Sequence, residues 1–310
     1  MRERAPAKIN LCLFIGPTRP GDGRHELVSV MQSLTLADDL EMEEAVADGP
    51  APTPPPGPAA VAAPAVDEVR CPGVPGPNLA GAALAAFRQA TGWDAPPRRI
   101  EIEKRVPVMA GMGGGSADAA AALRLAARAS GLGDEPLLQR VGAALGADVP
   151  AQVRPGRALA TGAGEHVRHL PDGAPFGVLV LPGAEPLSTA AVYAHADALG
   201  LPRDADELAQ ALQDVDDALA TGGDLPLELL VNDLEPAAVA LQPAIADALG
   251  QARAAGADHV MVSGSGPTVL GLFFGPHGVR RARAAATFVL AGRTPAPLVA
   301  GPEPGWGPLR

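Results

Sequence analysis

One stretch of twelve residues, Pro107-Val108-Met109-Ala110-Gly111-Met112-Gly113-Gly114-Gly115-Ser116-Ala117-Asp118, restricts the architecture more than any other in the chain. It follows an alternating segment, Arg99 to Val106, in which Ile100, Ile102 and Val106 are apolar while Glu101, Glu103 and Arg105 are polar. A period of two marks a strand with one buried face. An Ala/Leu-rich run from about Ser116 to Ala129 comes next and stops at Ser130-Gly131, the pattern of a helix closed by a glycine cap. Strand, glycine loop and helix in that order place side-chain-free amides at a helix N-terminus, where N–H groups and the helix dipole favour an anion. Polyphosphate is the natural guest. No Gly-Lys-Ser or Gly-Lys-Thr occurs, which excludes a Walker-type loop. Ser116 stands where a dinucleotide fingerprint needs glycine.

The 310-residue chain as a whole reads as α+β in two layers, with a boundary near residue 155. Ile9 to Ile15, Gly177 to Leu181, Val260 to Val262 and Val269 to Phe274 read as strands. Asn78–Gln89, Glu135–Leu145, Ala190–Ala198, Asp204–Leu219, Glu235–Leu241, Ile245–Ala254 and Val279–Leu290 read as helices. His25 to Leu36 has apolar residues at Leu27, Val30, Met31 and Leu34, a helix-like or mixed spacing. Asp48 to Pro64 is a Pro/Ala tract expected to project as a surface loop. The proline-rich end, 301–310, is expected to fray. The expected units are therefore 1–155, 156–300 and a flexible tail.

A formal charge of −11 argues against a general nucleic-acid binder, which needs a basic face to neutralise phosphates. Cys12 and Cys71 have no metal-type spacing and form no disulfide framework, and they fit a reducing compartment. Neither a membrane-spanning run nor a signal sequence is visible, so a soluble cytoplasmic protein, monomer or homodimer, is expected. Of 24 basic residues only Lys8 and Lys104 are lysine. In a chain this biased towards arginine, a retained lysine points to a place where a compact ammonium is needed.

Lys8 and Asn10 share one face of the first strand. Asp148 is delivered between Gly146-Ala147 and Val149-Pro150, in the position of either a turn aspartate or a rigidly presented carboxylate. Asp22-Gly23-Arg24-His25 reads as a surface turn, and Ser263-Gly264-Ser265-Gly266-Pro267 as a hairpin loop, unless the site recruits them.

Ala5-Pro6-Ala7-Lys8-Ile9-Asn10, the central glycine loop and Ser263 to Pro267 together resemble, in order and spacing, the three motifs of the GHMP kinases. Asp22 to His25, the triple glycine and Gly146 to Pro150 are similar to the branch acting on a CDP-linked methylerythritol. The resemblance implies an N-terminal domain like ribosomal protein S5 and a ferredoxin-like C-terminal domain. It implies ATP-dependent phosphorylation of the substrate's 2-hydroxyl, with Mg²⁺ bridging the phosphates and metal ligands unknown. Lys8 and Asp148 would form the catalytic pair. Pro107, Val108, Met109, Ala110, Gly111, Met112, Gly113, Gly114, Gly115, Ser116 and Ala117, with Lys104 and Asn78, would bind ATP. Asn10 and His25 would read the cytosine, joined by Arg24, Thr189, Tyr193, Gly264, Ser265 and Gly266. Arg24 stands where the family usually places an aromatic. A GHMP kinase for homoserine or mevalonate, or a non-catalytic protein that keeps the pocket, are the alternatives.

Overall fold

The computed structural model describes residues 1–45, 67–74, 76–220, 224–291 and 293–307. The Pro/Ala tract Asp48–Pro64 lies outside the described residues, as do 308–310. Chain order is β1 (Arg2–Thr18), β2 (His25–Glu44), β3 (Glu68–Arg70), α1 (Leu79–Thr91), β4 (Arg98–Glu103), α2 (Gly114–Ser130), α3 (Glu135–Leu145), α4 (Val149–Gln152), β5 (Arg157–Thr161) and β6 (His166–Leu170). The second part runs β7 (Phe176–Leu181), α5 (Thr189–Leu199), α6 (Ala205–Ala220), a short 3₁₀ turn, α7 (Glu235–Leu241), α8 (Ala244–Ala254), β8 (His259–Val262), β9 (Val269–Phe274), α9 (Gly278–Val289) and β10 (Leu298–Ala300).

The first six strands form one sheet in the order β3-β4-β2-β5-β6, with β1 antiparallel to β2. Strands β7 to β10 form a second, antiparallel sheet in the order β10-β7-β9-β8. Its β-α-β-β-α-β succession is the ferredoxin-like arrangement. The expected two-part α+β fold is therefore present.

Three expectations change. His25 to Leu36 is strand, not helix, because β2 is covered on both faces. Residues 27–34 are all buried, including Ser29, Gln32 and Ser33, so no polar alternation is required of them. The boundary expected at 155 falls before the β5–β6 hairpin, which pairs onto β2 at Ser29–Gln32. The change of sheet comes between Leu170 and Phe176. The tail expected to fray from 301 is held down through Trp306. Glu303 meets Arg4 at 2.8 Å and donates its N–H to Ser33 O, while Arg124 lies over the Trp306 ring at 5.0 Å. Packing against β1 and β2 replaces the chain entropy that a free proline-rich end would keep.

Helix α2 lies against α1 and β1 and brings a run of alanines, Ala119 to Ala122, into a core that also holds Phe87, Leu84 and Ile100. Asn78 starts α1 by accepting the Ala80 N–H at 2.9 Å, and Gly92 ends it in the left-handed region. A separate apolar layer joins the two sheets: Ile9, Val28 and Leu34 share it with Val178, Val180, Leu208, Met261 and Leu270. Among the described residues no helix is long and apolar enough to cross a membrane.

Candidate active site

A cleft of about 970 Å³ opens between the glycine loop, the first two strands, α5 and the 263–267 turn. That is near the upper end of ligand-site volumes, about 300–1,000 Å³. The loop enters helix α2 at Gly114, with Gly113 as the capping residue and no side-chain cap, so the first amides of α2 face the cleft without a side-chain partner. Two loop positions require glycine. At Gly113 (φ +65) a Cβ would sit 2.9 Å from the Lys8 Cγ, so the lysine stem lies directly on the loop. At Gly111 (φ +69) a Cβ would sit 2.3 Å from Ser263 O and 2.9 Å from Gly266 O. The latter contact is backbone on backbone and cannot yield by rotating a side chain. Gly111→Ala is therefore expected to lower the free energy of unfolding by about 1–3 kcal/mol, read from denaturant midpoints. Unchanged midpoints would mean that the loop and turn are not rigidly docked.

Lys8 and Asn10 project from the same face of β1, as strand geometry requires. Lys8 Nζ donates to Asn10 Oδ1 at 2.8 Å and lies 3.2 Å from Asp148 Oδ2. Asn10 in turn donates to Ser29 Oγ at 2.7 Å, and Ser29 donates to Cys12 O at 2.6 Å. The Lys8 side chain is 7% exposed and that of Asp148 29%, so the ammonium is enclosed while the carboxylate faces the cleft. Asp148 reaches this place because α3 ends at Gly146, and Val149-Pro150 open α4 at once.

Lys104 Nζ is gripped by Asp38 Oδ2 at 2.5 Å and Asp118 Oδ2 at 2.8 Å. Asp38 Oδ1 also accepts the N–H groups of Arg105 and Val106, at 2.5 and 2.8 Å. Burial pushes the Asp118 carboxyl up to about 7 although the Lys104 ammonium opposes that rise. Burial alone would lower Lys104, but its two carboxylate partners raise it.

At the other end of the cleft, His25 Nδ1 is 2.8 Å from the Gly16 carbonyl, so this nitrogen carries the hydrogen. Its Nε2 faces Asp197 Oδ1 at 3.2 Å. The Tyr193 ring lies 5.3 Å from the imidazole, tilted 31°, and burial, with the Asp148 charge adding to it, pushes the Tyr193 hydroxyl up to about 12. Arg24 is held by Asp22, its Nε donating at 2.8 Å. Arg19 bonds both Asp22 and Glu165, so the segment before His25 is tied to the β5–β6 turn. Thr189 and Ser265 share a hydroxyl hydrogen bond of 2.8 Å.

Families described as GHMP kinases N terminal domain and GHMP kinases C terminal match residues 78–156 and 208–291. A 4-diphosphocytidyl-2-C-methyl-D-erythritol kinase from Anaeromyxobacter sp. (strain K) is 37% identical over 305 residues, covering 93% of this chain and 84% of the relative. The Streptomyces coelicolor protein of the same name is 42% identical over 278 residues, covering 86% and 85%. The chain belongs to the 4-diphosphocytidyl-2-C-methyl-D-erythritol kinase branch of the GHMP kinases. A crystal structure of 4-(cytidine 5'-diphospho)-2C-methyl-D-erythritol kinase superposes with a TM-score of 0.70 at 31% identity, over 99% of this chain and 100% of that one. A homoserine kinase from Cytophaga hutchinsonii, at 16% identity and TM-score 0.66, shares the fold of this GHMP kinase.

Nearly all of the residues expected at the site line one cleft in this GHMP kinase. They are Lys8, Asn10, Arg24, His25, Asn78, Lys104, Pro107 through Ser116, Asp148, Thr189, Tyr193, Gly264 and Ser265. Two do not. Ala117 is 1% exposed and its N–H is used inside α2, so it packs in the alanine core rather than lining the cleft. Gly266 closes the hairpin behind the cleft, donating to Ser263 O at 2.8 Å. Three residues escaped the sequence reading. Asp118 was visible as the acidic end of the glycine motif. Asp197 sits in an ordinary helical run, and Asn232, which donates to Val262 O and Gly264 O, had no sequence signal.

Proposed function

We propose that this GHMP kinase transfers the γ-phosphoryl group of ATP to the 2-hydroxyl of 4-diphosphocytidyl-2-C-methyl-D-erythritol, giving the 2-phosphate and ADP in the non-mevalonate route to isoprenoid precursors. The contact between Lys8 Nζ and Asp148 Oδ2, 3.2 Å long and lying beside the glycine loop, carries this reading. The substrate oxygen attacks the γ-phosphorus as its bond to the bridging oxygen of ADP breaks. Asp148 orients that hydroxyl and takes its proton. Lys8 offsets the charge gathered between carboxylate, oxygen and phosphoryl group. Transfer of this kind depends on positioning and charge stabilisation, so an aspartate suffices although it is a weak base for an alcohol.

Among the described residues no group of three or more His, Cys, Asp or Glu could hold a metal ion by itself. A magnesium ion brought in with the nucleotide would supply further charge neutralisation beside the glycine loop. The glycine loop and the open amides of α2 would carry the phosphates, with Lys104 beside them, and Asn78 would serve the nucleoside side. His25, Tyr193 and Thr189 would hold the cytidine end. With Nδ1–H committed to Gly16, His25 is held in a fixed orientation, and its Nε2 edge, beside Asp197, would be the one that meets the polar edge of cytosine. Arg24, taking the place of an aromatic, presents a guanidinium plane to the base.

The decisive assay offers ATP with the cytidylyl substrate, homoserine and mevalonate in parallel. Phosphate transfer to the first alone is expected. Faster transfer to either of the others would replace the substrate assignment. His25→Ala is expected to raise KM for the cytidylyl substrate on the order of tenfold, through the lost hydrogen bond, with KM for ATP little changed. Equal rises in both would remove the cytosine-reading role.

A further inference from the structure

We propose that Asp118 is a positioning residue of the nucleotide subsite: it fixes the Lys104 ammonium at the root of the glycine loop, with one N–H left for an anionic ligand. The inference rests on the kinase reading above, and it assigns a part to a side chain that the mechanism leaves unused.

Lys104 stands before the loop, Asp118 after it, and the two are joined at 2.8 Å across the intervening turn. The ion pair therefore closes the neck of the loop. Asp38 completes the clasp from β2 but has a second duty, because its Oδ1 receives the Arg105 and Val106 N–H groups. Asp118 has none. Its Oδ2 meets Lys104, and its Oδ1 is buried without any hydrogen-bond partner, in a residue only 2% exposed. A buried carboxylate with an idle oxygen is costly, and a tie between loop and strand already exists through Asp38.

What Asp118 adds is direction. An ammonium has three N–H groups. Two are held by Asp38 and Asp118, on β2 and on α2, and the side chain lines the cleft with Nζ 3.4 Å from where a Cβ on Gly114 would sit. The remaining donor is thereby presented beside the first residue of α2, where the open helical amides also point. With Asp118 gone, the flexible lysine stem is free to swing about Asp38 alone, and the donor is no longer preset.

The test is direct binding of a magnesium complex of a non-hydrolysable ATP analogue, together with KM values for both substrates. Asp118→Ala should weaken analogue binding about tenfold and leave KM for the cytidylyl substrate unchanged. Asp118→Asn, whose amide oxygen still accepts from Lys104, should recover most of the loss. Lys104→Gln should weaken binding comparably, and the double variant Lys104→Gln/Asp118→Ala should be no weaker than Lys104→Gln alone, because both act through one ammonium. The Lys104–Asp38 pair survives in Asp118→Ala, which favours folding. If that variant does not fold, Asp118→Ser, too short to reach the ammonium, gives the same reading. Binding within twofold of the parent in these variants, or losses that multiply in the double variant, would overturn the proposal. If the parent chain itself bound no adenine nucleotide, the kinase reading would fail instead.

Discussion

Asp148→Asn lowers kcat by about 10²–10⁴-fold, the range for removal of a positioned proton acceptor, and leaves affinity for a non-hydrolysable ATP analogue within about threefold. The substitution is isosteric, and Asp148 caps no helix through its side chain, so the fold has little to lose. What disappears is the capacity to take a proton. The asparagine oxygen can still accept from Lys8 Nζ over the present 3.2 Å, which preserves the local hydrogen bonding and isolates the chemistry. Single-turnover rates with both substrates saturating, set beside calorimetric titration of the analogue, make the separation visible. A rate within about fivefold of the parent would take Asp148 out of the reaction.

Lys8→Met is expected to reduce kcat by about 10²–10³-fold, comparable with removing one electrostatic donor at a reacting centre. The Lys8 stem lies against Gly113 in a position only 5% exposed, and methionine has nearly the same length and can occupy that space. The charge alone is removed. Asn10 Oδ1 loses its donor, and Asp148 faces the incoming phosphoryl group without a neutralising neighbour. Groups that act as a unit are strongly non-additive, so Lys8→Met/Asp148→Asn should be scarcely slower than the slower single variant. Multiplying losses, or a defect confined to KM for ATP, would mean the two residues serve separate steps.

Much of this arrangement was legible in the chain. The glycine loop between an alternating strand and an alanine helix could adopt few other forms, and the two lysines among so many arginines both line the cleft. Lys8 and Asn10 follow from a period of two. The failures have physical causes. Strand β2 is sealed on both faces, so its pattern lost the alternation that identifies strands, and Leu27, Val30, Met31 and Leu34 imitated a helical stripe. Arg157–Thr161 is short and rich in alanine, with little in it to suggest β5, and the domain boundary slipped with it. The role of Asp38 depends on contacts with Lys104, Arg105 and Val106, 66 to 68 positions away. No local pattern encodes those contacts. Gly266 belongs to a motif of which Gly264 and Ser265 line the cleft. Only the folded turn shows that it points behind the cleft.

The apolar layer shared by Ile9, Val28, Val178 and Leu270 bears on how molecules enter and leave. Enzymes built as jaws swing on a thin hinge, whereas here such a swing would have to tear open close-packed side chains that tolerate little slippage. Arg19 likewise fastens the 19–24 turn to the β5–β6 turn, so ligands come to a cleft whose walls on both sides are already tied in place.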